Sequence, residues 1–293
     1  ALYVASQVIL AASYDKLEQQ SIRRDLSRAL DALNSDIDQL NSNVGDWANW
    51  DDTYRFVQDG NQEFLKTNIN DVTFQQLKIN FIIFLQASGK LRLARAFDLK
   101  NDKEISLPGD LEQLLTDRHA LNALLQNTNP DTQLTGILLT REAPLEIAAR
   151  PILTSDGKGP IRGTLIFARF LDNTEIAKLA KRTHLELDFQ RFDTLQSSSD
   201  DFRTATHNLS DASPFYLRHT NRNTLNGYTR VNDILGNPAL IIRVTVPREI
   251  HHQGLATIQF FMLIVVIIII ASTGVTVVLL NHLDVSKKRK GES

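Results

Sequence analysis

The sequence predicts an α+β fold: a long N-terminal helix, an antiparallel sheet with helices set between its strands, and a closing transmembrane helix. Three observations predict it. Apolar residues at Leu26, Leu30, Leu33, Ile37, Leu40, Val44 and Trp47 advance in steps of 4, 3, 4, 3, 4 and 3, the seam of one helix face. Short apolar, β-branched runs alternate with Gly, Pro, Asn and Asp turn signals from Lys78 onward, the pattern of hairpins. From Ile250 to Leu283 there is no Asp, Glu, Lys or Arg, and about 20 uncharged helical residues suffice to cross a hydrocarbon layer about 30 Å thick.

The elements follow in order. Ala1 to Ala12 is apolar apart from Ser6 and Gln7; it is too short to span a bilayer and has no basic start, so it is read as the end of a truncated first span. Tyr14 to Trp47 contains no Pro, and its first Gly is Gly45. Its seam can pair with a second copy of the chain or pack on its own domain; a homodimer is the expected assembly. Lys78–Gln86 and Leu91–Phe97 are strands joined at Ala87-Ser88-Gly89-Lys90. Pro108-Gly109 precedes a helix from Asp110, its N-cap, to Gln126. Leu134–Thr140, Leu145–Leu153 and Ile161–Phe170 are strands, the last two separated by the turn Ser155–Pro160. Asn173–Arg182 is a helix, capped by Asp172 or Asn173. Leu185–Phe192, Asn226–Val231 and Ala239–Val246 are further strands, and polar Ser197–Asp211 is a surface loop. Hairpins with interleaved helices favour antiparallel pairing over a doubly wound sheet. Five strands between Lys78 and Phe170 fit a PAS/Cache-like sheet, and the strands after Leu185 are an extension of it or a second lobe.

Composition removes several classes of function. The 293 residues carry 32 Lys and Arg against 34 Asp and Glu, so no nucleic-acid partner is indicated. With no Cys there are no disulfides, thiolate metal sites or Cys nucleophiles. G-x-S-x-G, H-E-x-x-H, P-loop and G-x-G-x-x-G motifs are missing from the sequence, and its carboxylates single out no acid/base pair. No catalytic residue, cofactor or metal is therefore expected. His251-His252 could approach a metal, but adjacent helical residues diverge by about 100°, and an interfacial role fits their place beside the span.

The densest constellation is Asp46-Trp47-Ala48-Asn49-Trp50-Asp51-Asp52-Thr53-Tyr54-Arg55-Phe56, which holds both tryptophans of the chain. On a continuous helix Trp47, Trp50 and Tyr54 would share a side. The run could form an aromatic and carboxylate pocket for a cation; alternatively, its aromatics bolt a helix end to the sheet. Arg92, Arg95, Arg150, Arg162 and Arg169 recur on predicted strands. They could grip a carboxylate through paired N–H groups or lie on the solvent face of the sheet.

Trp50-Asp51-Asp52-Thr53-Tyr54 with Phe56, Asn61, Phe64 and Asn68, then Arg150–Gly157, Gly159-Pro160, Gly163-Thr164-Leu165-Ile166 and Arg169, resemble the extracellular CHASE sensor family of type four. The resemblance covers about Asp46 to Asp172. It implies a non-catalytic sensor outside the membrane, held between two spans and placed before a cytoplasmic diguanylate cyclase, cyclic-di-GMP phosphodiesterase or histidine kinase. The signal would be a small molecule or a protein. On this reading Trp50, Asp51, Asp52, Tyr54, Arg95, Arg150 and Arg169 are the candidate ligand-binding residues. The alternative is a membrane-anchored periplasmic interaction module without a small ligand.

The expected organisation is the end of a first span (1–13), a membrane-proximal helix (14–56), a sensor domain (57–249), a transmembrane helix (250–283) and a basic tail (284–293). Lys287-Lys288-Arg289-Lys290 would hold that tail on the cytoplasmic side of a bacterial inner membrane, leaving the sensor periplasmic or extracellular.

Overall fold

The computed structural model describes residues 2–116, 129–194, 199–221, 223–247, 260 and 262–279. The end of the predicted Asp110–Gln126 helix, His251-His252, both edges of the 250–283 run and the basic tail lie outside them. The chain divides into two compact units. The smaller comprises Ala1–Ser21, His219–Leu225 and Pro247–Ser293, and the larger comprises Ile22–Arg218 and Asn226–Val246.

Helix α1 (Leu2–Ala48) is unbroken over 47 residues. In the larger unit its seam is filled from within the chain. Leu40, Val44 and Ala48 pack with Ile82, Phe84, Ala148 and Phe167, while Leu26, Leu33 and Ile37 pack with Leu240, Ile242 and Val244. The seam therefore packs on its own domain, and pairing through it with a second copy is excluded by burial: Leu26 and Val44 are 0% exposed and Leu33 1%.

The long helix stops at Ala48, short of the expected Phe56. Trp50 adopts an extended conformation (φ −121°, ψ 131°) and opens a separate helix α2 (Asp51–Asp59). The Ala48 carbonyl accepts from Leu153 N–H at 3.0 Å, so a contact across the fold takes the place of the next helical turn. Helices α3 (Gln62–Asn68) and α4 (Asp71–Leu77) follow. Gly60 ends α2 in the left-handed region at φ 71°, where a residue without Cβ is favoured. The side chains of Asn61 and Asn70 cap α3 and α4 by accepting from Glu63 and Thr73 N–H, as short polar caps do.

The first sheet holds β1 (Phe81–Gln86), β2 (Leu91–Asp98), β3 (Lys103–Ile105), β4 (Leu134–Leu139), β5 (Pro144–Pro151) and β6 (Gly163–Phe170) in the order β3-β2-β1-β6-β5-β4. All of its pairs are antiparallel. Strand side chains alternate between faces: Ile82 and Phe84 meet α1, whereas Phe81, Ile83, Ile147 and Ile166 meet Leu111 and Leu115 of α5 (Gly109–Thr116). Gly163 faces Gln86 in this register, and a Cβ there would stand 2.0 Å from the Leu85 carbonyl oxygen. Gly163→Ala should force β1 and β6 apart and cost about 3 kcal/mol in denaturant unfolding, the upper end of ordinary overpacking. A cost within about 0.5 kcal/mol, the range of a neutral surface change, would show that the pair yields freely.

After α6 (Asn173–Thr183) the strands β7 (Glu186–Arg191), β8 (Phe215–His219), β9 (Thr224–Asn232) and β10 (Pro238–Pro247) form a second sheet, ordered β7-β10-β9-β8. Of the two options left open by the sequence, extension or second lobe, a separate sheet is the outcome. Helix α7 (Asp200–Asn208) lies where a polar loop was expected over Ser197–Asp211. Phe202, Ala205 and Leu209 bury against Tyr228 and Ile241, so three apolar residues at helical spacing outweigh the polar composition around them. The short strands β3 and β8 and the helices α2 to α4 carried too little periodicity to be read.

Among the described residues, α8 (Met262–Leu279) is long and apolar enough to cross a membrane. Its Ile267, Ile268, Ile269 and Ile270 are exposed, which suits a lipid surrounding.

Candidate functional site

The Asp46–Phe56 run is an architectural joint. Trp47 meets Trp50 edge-on at 6.0 Å and Phe167 at 5.9 Å, and Trp50 lies 5.8 Å from Phe64. Asp51 and Ser155 bond reciprocally: Ser155 N–H donates to Asp51 Oδ1 at 3.0 Å, and Asp51 N–H donates to Ser155 Oγ at 3.2 Å. Tyr54 donates to the Pro160 carbonyl at 3.2 Å and accepts from Arg162 Nε at 3.1 Å, with that guanidinium 5.7 Å above its ring. Asp52 pairs with Arg55 on the surface. Trp50, Asp51 and Tyr54 thus fasten α2 to the aromatic core and to the loop at 154–162.

The candidate arginines lie in three different places. Arg95 is committed to Glu104 at 2.9 Å and to the Ile69 carbonyl at 2.6 Å; it borders an open groove of about 910 Å³ with Trp47 and Asn68. Arg169 donates through Nε to Glu146 Oε2 at 2.8 Å, and a terminal nitrogen reaches the same oxygen. Glu146 is 0% exposed, and its Oε1 has no hydrogen-bond partner among the described residues. Burial pushes its carboxyl up to about 7 against the pull of Arg169, and Asp36 and Glu175 add to the rise.

Arg150 differs from both. Its Nε donates to Asn41 Oδ1 at 2.8 Å, and Asn41 Nδ2 donates in turn to Gln133 Oε1 at 2.9 Å. No carboxylate lies within ion-pair distance of it among the described residues. Arg150 lines a cleft of about 460 Å³ with Asn41, Ser42, Gly45 and Asp46 of α1, with Asn49 just past its end, and with Ser155. Such a volume lies in the usual range for small-molecule sites, about 300–1,000 Å³. Asn41, Ser42 and Gly45 went unread as site residues because they occupy the helix's polar side, where amide and small residues look like any solvated face. Their signal is Asn41 and Gly45 one four-residue step apart, on one line of the helix, a line that Asn49 prolongs past its end by donating N–H to the Gly45 carbonyl at 3.0 Å.

A further polar network lies in the second sheet. Arg243 donates to Asp201 at 2.7 Å and to Asp188 at 2.8 Å, and Tyr228 donates to Asp201 at 2.8 Å. Burial pushes the Asp201 carboxyl up, but hydrogen bonds from Ser199, Tyr228 and Arg243 outweigh it and hold the group at about 2. Burial, with Asp201 alongside, pushes Tyr228 to about 12. This network was not legible beforehand; its bonded members lie as much as 55 residues apart. Among the described residues no group of three or more His, Asp or Glu is placed to hold a metal ion.

The sequence profile of the CHASE4 domain matches residues 32–190, more than half of the chain. The chain belongs to the CHASE4 family. At the level the family establishes, this CHASE4 domain is an extracellular sensor domain. It is 29% identical over 251 residues to the methanogenesis regulatory histidine kinase FilI of Methanothrix harundinacea; the match covers 86% of this chain and 27% of FilI, so the chain spans about a quarter of that relative. Among solved structures it is similar to the extracellular domain of vpHK1S-Z8 (TM-score 0.52, 13% identity, 83% of this chain and 95% of that one). It is likewise similar to a domain of a sensory box/GGDEF family protein from Vibrio parahaemolyticus (TM-score 0.52, 12% identity, 82% and 99%). At those identities the likeness is one of fold, and it bears out the α+β architecture.

Proposed function

We propose that this chain is the input segment of a membrane histidine-kinase receptor and that its signal binds in the Arg150 cleft. The observation that carries the reading is the double use of α1. One side of its last turns, Leu40, Val44 and Ala48, is core; the adjacent side, Asn41, Ser42, Gly45 and Asp46, is the wall of the cleft. A ligand there touches the same helix that runs without a break from Leu2. Its differential affinity for two settings of that helix is the free energy available for signalling. The match to FilI supports a histidine kinase as the effector, and α8 supports a membrane anchor. On this reading Ala1–Ala12 is the end of the first of two spans, the chain has no catalytic activity of its own, and it works as a homodimer joined elsewhere than at the α1 seam.

A chimaera tests it. This chain replaces the corresponding segment of FilI in vesicles, and Ser42→Trp fills the cleft. Autophosphorylation should change by about fivefold, the lower end of ordinary coupling between sites. Asn34→Trp, on the exposed side of the same helix, should leave it unchanged. Equal rates in both variants and the parent would remove the cleft from the signalling path.

A further inference from the structure

The chemistry of the cleft narrows what it can hold, given the reading that the cleft is the signal site. We infer that its ligand is a small zwitterion, a carboxylate and an ammonium on one molecule, with Arg150 taking the carboxylate and Asp46 the ammonium. Arg150 is oriented without being neutralised. The relay from Gln133 through Asn41 fixes its Nε and leaves the two terminal nitrogens without a protein partner among the described residues. Those nitrogens form the planar fork that meets a carboxylate with two parallel bonds. Arg92, Arg95 and Arg169 of the same sheet each have a terminal nitrogen already engaged: Arg92 on the Gln58 carbonyl, Arg95 on the Ile69 carbonyl and Arg169 on Glu146.

Asp46 supplies the opposite charge. Asp46 lines the same cleft, and its carboxylate has no cationic partner within 4.0 Å among the described residues. A plain carboxylate on Arg150 would meet the negative charge of Asp46, and a plain amine on Asp46 would meet the positive charge of Arg150. A molecule carrying both groups satisfies both, while Ser42 on the helix and Asn49 just past its end add neutral hydrogen-bonding groups to the cleft wall.

The test is calorimetric titration of the full chain in lipid nanodiscs with aminocarboxylates of increasing charge separation (glycine, β-alanine, 4-aminobutyrate) and a set of larger α-amino acids. Acetate and ethylamine serve as single-charge probes. At least one aminocarboxylate should bind, with acetate and ethylamine each weaker by about tenfold or more, the loss of roughly one charge-assisted contact. Arg150→Gln and Arg150→Lys should both weaken it by about tenfold, because lysine keeps the charge but loses the fork. Asp46→Asn should weaken the zwitterion and leave acetate unchanged or tighter. Absence of binding across the panel, acetate binding as tightly as the zwitterion, or an Arg150→Lys protein with unchanged affinity would each overturn the assignment. If Arg150→Gln fails to fold, Arg150→Lys and the acetate comparison decide. The Ser42→Trp chimaera separates the two claims: a changed kinase rate with a silent panel keeps the cleft and discards the zwitterion, and silence in both discards both.

Discussion

Arg169→Leu should destabilise the domain by about 3–5 kcal/mol at pH 8, because removing one partner of a buried pair strands the other charge. Glu146, 0% exposed, would then hold an uncompensated carboxylate between β6, α1 and α6. At pH 5 the loss should be less than half as large, since the carboxyl can take up a proton instead. The parent protein carries the same signature more weakly. The folded value of Glu146, about 7, lies above its ordinary 4.5, so the folded state holds a proton that the unfolded state has released. Stability from this group is full below pH 4.5 and is lost as pH rises towards 7. Glu146→Gln should remove that slope. Unfolding in urea followed by the fluorescence of Trp47 and Trp50 measures both effects. An Arg169→Leu protein equally destabilised at pH 5 and pH 8 would show that Glu146 does not titrate in this range.

Leu33→Ala should cost about 2–5 kcal/mol, the ordinary range for emptying a filled leucine site. Leu33 is 1% exposed, within a cluster that includes Leu240 and Ile242. Leu33→Asp should prevent folding, whereas Asn34→Ala on the exposed side should stay within about 0.5 kcal/mol of the parent. Had the heptad seam joined two chains, Leu33→Asp would give a folded monomer. A stable Leu33→Asp protein in sedimentation would restore that possibility.

The seam shows how far a sequence can be read. Its period placed a helix with one apolar side, and the helix is there. Nothing in seven apolar positions names what covers them, because Leu, Ile and Val from β10 and from a second α1 present the same surface. Trp50 marks a similar limit. Local propensity allowed the helix to continue to Phe56, but the bond from Leu153 to Ala48 and the seat of Trp50 beside Phe64 gave more than another helical turn. Helix α7 failed in the opposite sense: its polar composition read as loop until the face of Tyr228 and Ile241 gave its three apolar residues a place to pack.

The candidate site divides in the same way. Arg95, Arg150 and Arg169 stand out as strand arginines in the sequence, and all three look alike there. Their partners make them different, and those partners are remote: Glu146 lies 23 residues from Arg169, and Asn41 lies 109 from Arg150. What the sequence determined by itself were features written in a long local pattern: the long helix, the main hairpins with their turn glycines, the uncharged run of α8 and, from their order, the α+β class. Only the tertiary structure decided which charges are spent and which are free, what fills the seam and where a cleft opens. Ion pairing and burial depend on distance in space, which the covalent order does not record.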